Sequence, residues 1–270
     1  MTDLNYEKFD NGVAVLTMNR PAKKNALTPR MLCELVDAWS DFDSDSDMRV
    51  ALLTGNPEAG AFCGGADLGL LIPLLTGARQ AMDEYDERML ADPSLMYRAL
   101  QRNNPTYKPI IAAVNGLALA GGTEFLQGTD LRLAVPNATF GLTEVRVGLA
   151  PGGGSLTRLI RQMPYAKAMH ILLTGEPISA EEALRIGFIN EIVPQEQLMT
   201  RARELADKVA ANGPLAVKAC KEAAVRTSGV SLEEAYLIED EVAQAILRTE
   251  DAVEGPRAFM EKRMPQFKAK

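Results

Sequence analysis

Histidine is nearly missing from this chain: His170 is the only one in 270 residues. It lies in Ala168-Met169-His170-Ile171-Leu172-Leu173, an apolar helical stretch where a single histidine is structural more often than catalytic. A triad that needs histidine is therefore disfavoured, and proton transfer falls to carboxylates. Cysteine is also sparse. Cys33, Cys63 and Cys220 are odd in number and show no paired spacing, which disfavours a disulfide frame or a zinc site and fits a reducing compartment. No metal is expected. No apolar run approaches the roughly 18 residues that suggest a membrane span. The start, Met1 to Lys8, has no basic segment followed by an apolar one, so no signal peptide is visible and a cytoplasmic location is expected. Positive charge is outnumbered, with 29 Lys and Arg against 36 Asp and Glu and a net charge of −7. That balance argues against a nucleic-acid surface.

What is present is a large apolar content, 47% of residues, enough for a sizeable core. Strand-like runs at 13–18, 50–54, 110–114 and 131–135 alternate with helical patterns, which predicts an α/β arrangement. Thr28 followed by Pro29 reads as an N-cap with proline at the first helical position. Ser179-Ala180-Glu181-Glu182 and Ser231-Leu232-Glu233-Glu234 read as capping boxes. From about residue 195 onward only helices are expected. This divides the chain into an α/β core, 1–194, and a helical region, 195–270. No sharp repeat period is visible. The stretch 70–104 mixes apolar residues with a run of acids and predicts short helices, either a substrate lid or a solvated surface hairpin.

Two glycine-rich turns carry the chemistry. The first runs Asn115-Gly116-Leu117-Ala118-Leu119-Ala120-Gly121-Gly122-Thr123-Glu124. The second is Phe140-Gly141-Leu142-Thr143-Glu144, followed by Gly148 and by Pro151-Gly152-Gly153-Gly154. A helix starting near Gly121 would present unpaired N–H groups, and glycines let a backbone approach a ligand closely. Donors from two such loops could cradle a carbonyl oxygen. Taken singly, Glu124 reads as a first-turn acid favoured by the helix dipole and Glu144 as an exposed loop acid. Cys63, in Phe62-Cys63-Gly64-Gly65-Ala66-Asp67-Leu68, reads as a buried core thiol rather than a nucleophile.

Read together, these pieces resemble the enoyl-CoA hydratase/isomerase (crotonase) superfamily. Asn19-Arg20-Pro21, Asn25-Ala26-Leu27, Phe62 to Leu68, Ala112 to Glu124, Phe140 to Glu144 and Pro151-Gly152 match it in order and spacing. Glu254 to Arg263 resembles its C-terminal end. The resemblance implies a spiral of repeated β-β-α turns followed by C-terminal helices that assemble trimers, often paired into hexamers. It implies an oxyanion hole from the N–H groups of Ala66 and Gly121, catalytic Glu124 and Glu144, and Gly152 orienting Glu144 through its N–H. Gly64, Asp67, Leu68, Lys23 or Lys24, and Lys262 from a neighbouring subunit are the implied CoA contacts. No cofactor is implied beyond the coenzyme A carried by the acyl-CoA thioester substrate. Two acids rather than one favour hydration of a trans-2-enoyl-CoA. The alternatives are double-bond isomerisation, another acyl-CoA reaction on the same fold, or a non-catalytic CoA-binding protein. The insert between Asp67 and Pro109 is expected to govern acyl specificity.

Overall fold

The structure is a computed structural model describing residues 2–103 and 105–270. The apolar run Val13-Ala14-Val15-Leu16-Thr17-Met18 forms β2 (Val13–Met18), paired on one side with antiparallel β1 (Leu4–Lys8). On its other side β3 (Val50–Gly55), β5 (Ile110–Val114), β7 (Leu131–Ala134) and β10 (Glu191–Ile192) follow in parallel, making a six-stranded sheet. β3 and β5 are buried at every position. Parallel strands covered on both faces read as unbroken apolar runs, and this is why they stand out in the sequence.

A second, four-stranded sheet is built from short strands. β4 (Ala61–Cys63), β6 (Leu117–Leu119) and β8 (Thr139–Gly141) are parallel, and β9 (Ile178–Ser179) closes the edge antiparallel to β8. The chain steps from a long strand to a short one three times: β3 to β4, β5 to β6 and β7 to β8. Each pair of strands advances both sheets by one position, and the result is a spiral. The turns begin at Val50, Ile110 and Leu131. These unequal steps, caused by the insert after β4, hide the repeat from a search for a fixed period.

Helices pack around the spiral. α1 (Pro29–Ser44) starts where Thr28 accepts the Met31 N–H at 3.0 Å. The insert holds α2 (Leu71–Leu75), α3 (Glu84–Ala91) and α4 (Leu95–Ala99). α5 (Gly121–Leu126), α6 (Ser155–Gln162), α7 (Tyr165–Thr174) and α8 (Ala180–Arg185) complete the core. Of the two expected capping boxes the serine half forms in each, with Ser179 accepting from Glu182 N–H and Ser231 from Glu234 N–H, while the Glu182 carboxylate pairs with Arg185 and Lys167 instead. Beyond Pro194 the regular elements are helical: after a 3-10 turn come α9 (Leu198–Ala210), α10 (Pro214–Thr227), α11 (Leu232–Ile246) and α12 (Glu250–Met260). Among the described residues, no helix is long and apolar enough to cross a membrane.

Candidate active site

The spiral brings the ends of β4 and β6 side by side. Gly65 has a φ of +94°, and a Cβ built on it would stand 2.7 Å from the Ala120 Cβ and 2.9 Å from the Leu119 carbonyl oxygen. Only glycine allows the two turns to approach this closely. Ala120 itself holds φ 49° and ψ −123°, a strained conformation for a residue with a side chain. That conformation turns the 120–121 peptide so that α5 starts directly after β6. Gly122 is needed for the same packing, because a Cβ there would lie 2.4 Å from the Cys63 carbonyl oxygen.

Two backbone donors emerge from this junction. Leu27 bridges the Ala66 segment in parallel, its N–H donating to Gly65 O at 2.8 Å and its carbonyl accepting from Asp67 N–H at 2.9 Å. Both bonds skip Ala66, whose N–H faces away. Gly121 opens α5 with the unsatisfied N–H of a first helical turn. A Cβ on Gly121 would be 3.6 Å from Ala66 N, so the two donors are neighbours. Among the described residues, neither N–H meets a protein acceptor.

The carboxylates face the same cavity, of about 470 Å³, but their surroundings differ. Glu124 is carried on α5 and is buried. Its Oε1 accepts the Ser155 N–H at 3.3 Å, and the Gly153 N–H and the Ser155 hydroxyl also face it. Burial raises its pKa above the ordinary carboxylate value, while these donors and the Arg102 guanidinium oppose the rise. Glu144 begins a 3-10 turn (Glu144–Val147) after β8. Its Oε2 is shielded from solvent and has no hydrogen-bond partner. Burial, reinforced by the charge of Glu124, pushes its pKa up to about 7.

The remaining wall is largely aliphatic. Leu71, Ile72 and Leu75 come from the start of the insert, Met96 and Leu100 from its end, and Leu149 from the loop after Glu144. Both ends of the 70–104 stretch thus contribute side chains to the cavity wall. A larger hollow, of about 780 Å³ between residues 45–49 and 267–270, contains none of the groups described.

Gly64, Ala66, Leu68, Gly121, Glu124, Glu144 and Gly152 all line the cavity. The role expected of Gly152 differs in the structure. Its N–H forms no hydrogen bond to Glu144 among the described residues; its carbonyl accepts from Arg102 Nη1 at 2.9 Å. The glycine turn sends its next N–H groups, those of Gly153 and Ser155, to Glu124 instead. Asp67 is also engaged differently. It pairs with Arg20 at 2.8 Å and accepts the Gly69 and Leu70 N–H groups, so it fixes the entry to the insert and does not line the cavity. Lys24 is tied to the Ala59 carbonyl at 3.0 Å. Lys23 and Lys262 are exposed, and none of the three lysines lies in the cavity wall.

Ser155, Gly153, Gln127 and Arg102 were not singled out from the sequence. The run Gly152-Gly153-Gly154-Ser155 signals a tight turn into a helix, but which N–H points inward is decided by three-dimensional placement. His170 lies at the surface with its Nε2 3.2 Å from Glu176. Cys63 is buried and its thiol is pushed up to about 12, leaving it unreactive as expected.

With this geometry described, comparison with known proteins places the chain. The sequence profile of the enoyl-CoA hydratase/isomerase family matches residues 8–270. The chain belongs to that family. It is 44% identical to enoyl-CoA hydratase EchA19 of Mycobacterium tuberculosis, over 94% of this chain and 92% of that protein. It is 40% identical to the (E)-benzylidenesuccinyl-CoA hydratase of Thauera aromatica, over 97% of each. The crystal structure of the enoyl-CoA hydratase from Bacillus anthracis superposes with a TM-score of 0.89 at 34% identity, covering 100% of both chains.

Proposed function

We propose that the chain catalyses reversible addition of water to a trans-2-enoyl-CoA, giving a 3-hydroxyacyl-CoA. The observation that carries this reading is a pair of carboxylates held in unlike environments across one cavity from two free, adjacent N–H groups. The thioester oxygen would sit against Ala66 and Gly121 N–H, where negative charge develops as water adds at Cβ. A preorganised donor of this kind contributes on the order of 3 kcal/mol to transition-state stabilisation.

The environments suggest which acid does what. Glu144 is met only by its own N–H, its Oε2 has no partner among the described residues, and its pKa is elevated, so it is suited to carry a proton and deliver it to Cα. Glu124 is met by three donors that favour its charged form, so it is suited to orient the water and accept its proton. The two groups titrate as a coupled pair. The aliphatic wall favours an apolar acyl group. Gly64 is a plausible CoA contact in this reading, since its N–H is used by Lys24 O while its carbonyl takes no protein donor among the described residues. Leu68, 62% exposed at the cavity mouth, offers an apolar contact beside it. Residues 195–270 would serve assembly into trimers or hexamers, and the cytoplasm is the proposed location.

The test is turnover on a panel of 2-enoyl-CoA esters, followed by loss of the conjugated-thioester absorbance. Glu124→Gln and Glu144→Gln should each lower kcat by at least about 10²-fold. Near-normal turnover of both variants on the best substrate would overturn the assignment. Supplying a 3-enoyl-CoA separates the isomerase reading: accumulation of 2-enoyl-CoA without hydroxyacyl product would favour it.

A further inference from the structure

Behind Glu124, on the side away from the cavity, lies a fully buried polar pair. Ser155 is inaccessible and Gln127 is 3% exposed. Gln127 is one turn after Glu124 in the chain, beyond the end of α5, and Ser155 is the first residue of α6. Gln127 Nε2 lies 2.6 Å from Ser155 Oγ and 3.4 Å from the Thr123 carbonyl oxygen. A carbonyl oxygen can only accept, which favours the amide nitrogen on this side and leaves Gln127 Oε1 buried with no hydrogen-bond partner among the described residues. Ser155 Oγ therefore accepts from Gln127. Its single hydrogen is free to point elsewhere, and the Glu124 carboxylate, whose Oε1 lies 3.3 Å from the Ser155 nitrogen, is the acceptor beside it.

We propose that Gln127 and Ser155 form a positioning pair that fixes Glu124 as the charged, proton-accepting member of the two glutamates. The pair rests on the hydratase reading and deepens it, since it explains why two carboxylates on one cavity take different roles. The polarity runs one way. Thr123 C=O orients the Gln127 amide, the amide orients the Ser155 hydroxyl, and the hydroxyl joins the Ser155 and Gly153 N–H groups in donating to Glu124. A carboxylate with donors on it is stabilised in its charged form. The charged groups facing Glu124 are Glu144 across the cavity and Arg102 from the stretch between α4 and β5. Glu144 has no such donors on its buried oxygen. Contacts of this type tighten when substrate closes the site.

The experiment compares Ser155→Ala, Ser155→Thr and Gln127→Met with the unaltered enzyme over a pH series of kcat and KM. Ser155→Ala and Gln127→Met should move the acidic limb of the kcat/KM profile upward by about one pH unit, a tenfold change in proton affinity. They should lower kcat with little change in KM. Ser155→Thr keeps the hydroxyl and should restore the limb. In a Glu124→Gln background, Ser155→Ala should add no further loss. Variants that unfold are recognised by circular dichroism and replaced by Ser155→Cys, which keeps the volume and most of the packing but donates weakly. The proposal fails if Glu124→Gln is inactive while the folded Ser155 and Gln127 variants keep the original acidic limb. If Glu124→Gln itself turns over normally, the hydratase assignment fails first.

Discussion

At the scale of single residues, the two glutamates separate by what surrounds them rather than by what they are. Glu144 has its pKa moved from 4.5 to about 7 by burial and by the charge of Glu124. If hydration uses Glu144 protonated and Glu124 charged, as proposed, kcat/KM in that direction should be bell-shaped, falling as pH rises through about 7. The same shift bears on stability. Between pH 4.5 and about 7 the folded chain keeps a proton on Glu144 that the unfolded chain has released, so stability falls as pH rises through this window. Glu144→Gln carries no such penalty. Its melting temperature should match the unaltered protein near pH 4.5, exceed it increasingly up to about pH 7, and hold a constant advantage above that. A difference independent of pH would mean that the Glu144 side chain is not shielded as described. Residue identity was legible in the sequence for Glu124, Glu144, Ala66 and Gly121, since each falls in a glycine-rich turn of recognisable order. The partner of the second glycine turn was not. Gly152 and Gly153 are adjacent and chemically identical, and only the packing of α6 against α5 decides which N–H points to which carboxylate.

At the scale of elements, the site is a meeting of two strand-to-helix turns, and its tolerances are set by backbone contacts. Gly65→Ala would force a Cβ into the Ala120 Cβ and the Leu119 carbonyl oxygen, at a backbone φ of +94° that side chains rarely adopt. Shifting either turn would move the Ala66 or Gly121 N–H away from the position proposed for the thioester oxygen. Gly65→Ala should therefore lower kcat by about 10²-fold or more, the scale of losing one such donor, while the protein stays folded by circular dichroism. Ala120→Gly acts in the opposite sense. It relieves a residue held at φ 49° and ψ −123° and should keep the peptide orientation, so activity should persist and stability should change by no more than about 1 kcal/mol. Equal inactivation by both substitutions would show that the turn's rigidity, and not its closeness, matters. The long strands were readable because burial on both faces makes them continuous apolar runs. The short strands β4, β6 and β8 were not, since three residues carry no periodicity. The insert was visible as a departure in texture. Its three helices, capped in part by Asp83 and flanked by the Asp67–Arg20 pair, take their positions from contacts that no local pattern encodes.

At the scale of the whole molecule, the helical end of the chain leaves large apolar side chains exposed. Sequence periodicity on α11 marks a face of Ala235, Ile238, Val242, Ala245 and Ile246, yet of these only Val242 is buried. On the same helix Leu237 is 68% exposed, and on α12 Val253 is 69%, Phe259 84% and Met260 76% exposed. Amphipathic spacing announces that a face will be covered but not by what, which is why assembly is invisible to pattern reading alone. A concentration of large apolar side chains at one end of a folded chain marks an interaction surface, and a further copy of this chain is the occupant proposed above. Light scattering should give three or six times the 29.3 kDa chain mass, and Leu237→Asp combined with Phe259→Asp should reduce it to that of one chain. A wild-type protein that runs as a single chain at micromolar concentration with full turnover would remove assembly from the account. In the proposed reading Lys262 links this surface to CoA binding: it stands two residues beyond the end of α12 and outside the cavity wall of its own chain. If it reaches a CoA phosphate of a neighbouring copy, Lys262→Ala should raise KM several-fold at unchanged kcat for an enoyl-CoA, and leave KM unchanged for the matching pantetheine thioester, which has no nucleotide phosphates. A rise in KM for both substrates would instead place Lys262 in the packing of the helical end, with no direct part in holding the nucleotide.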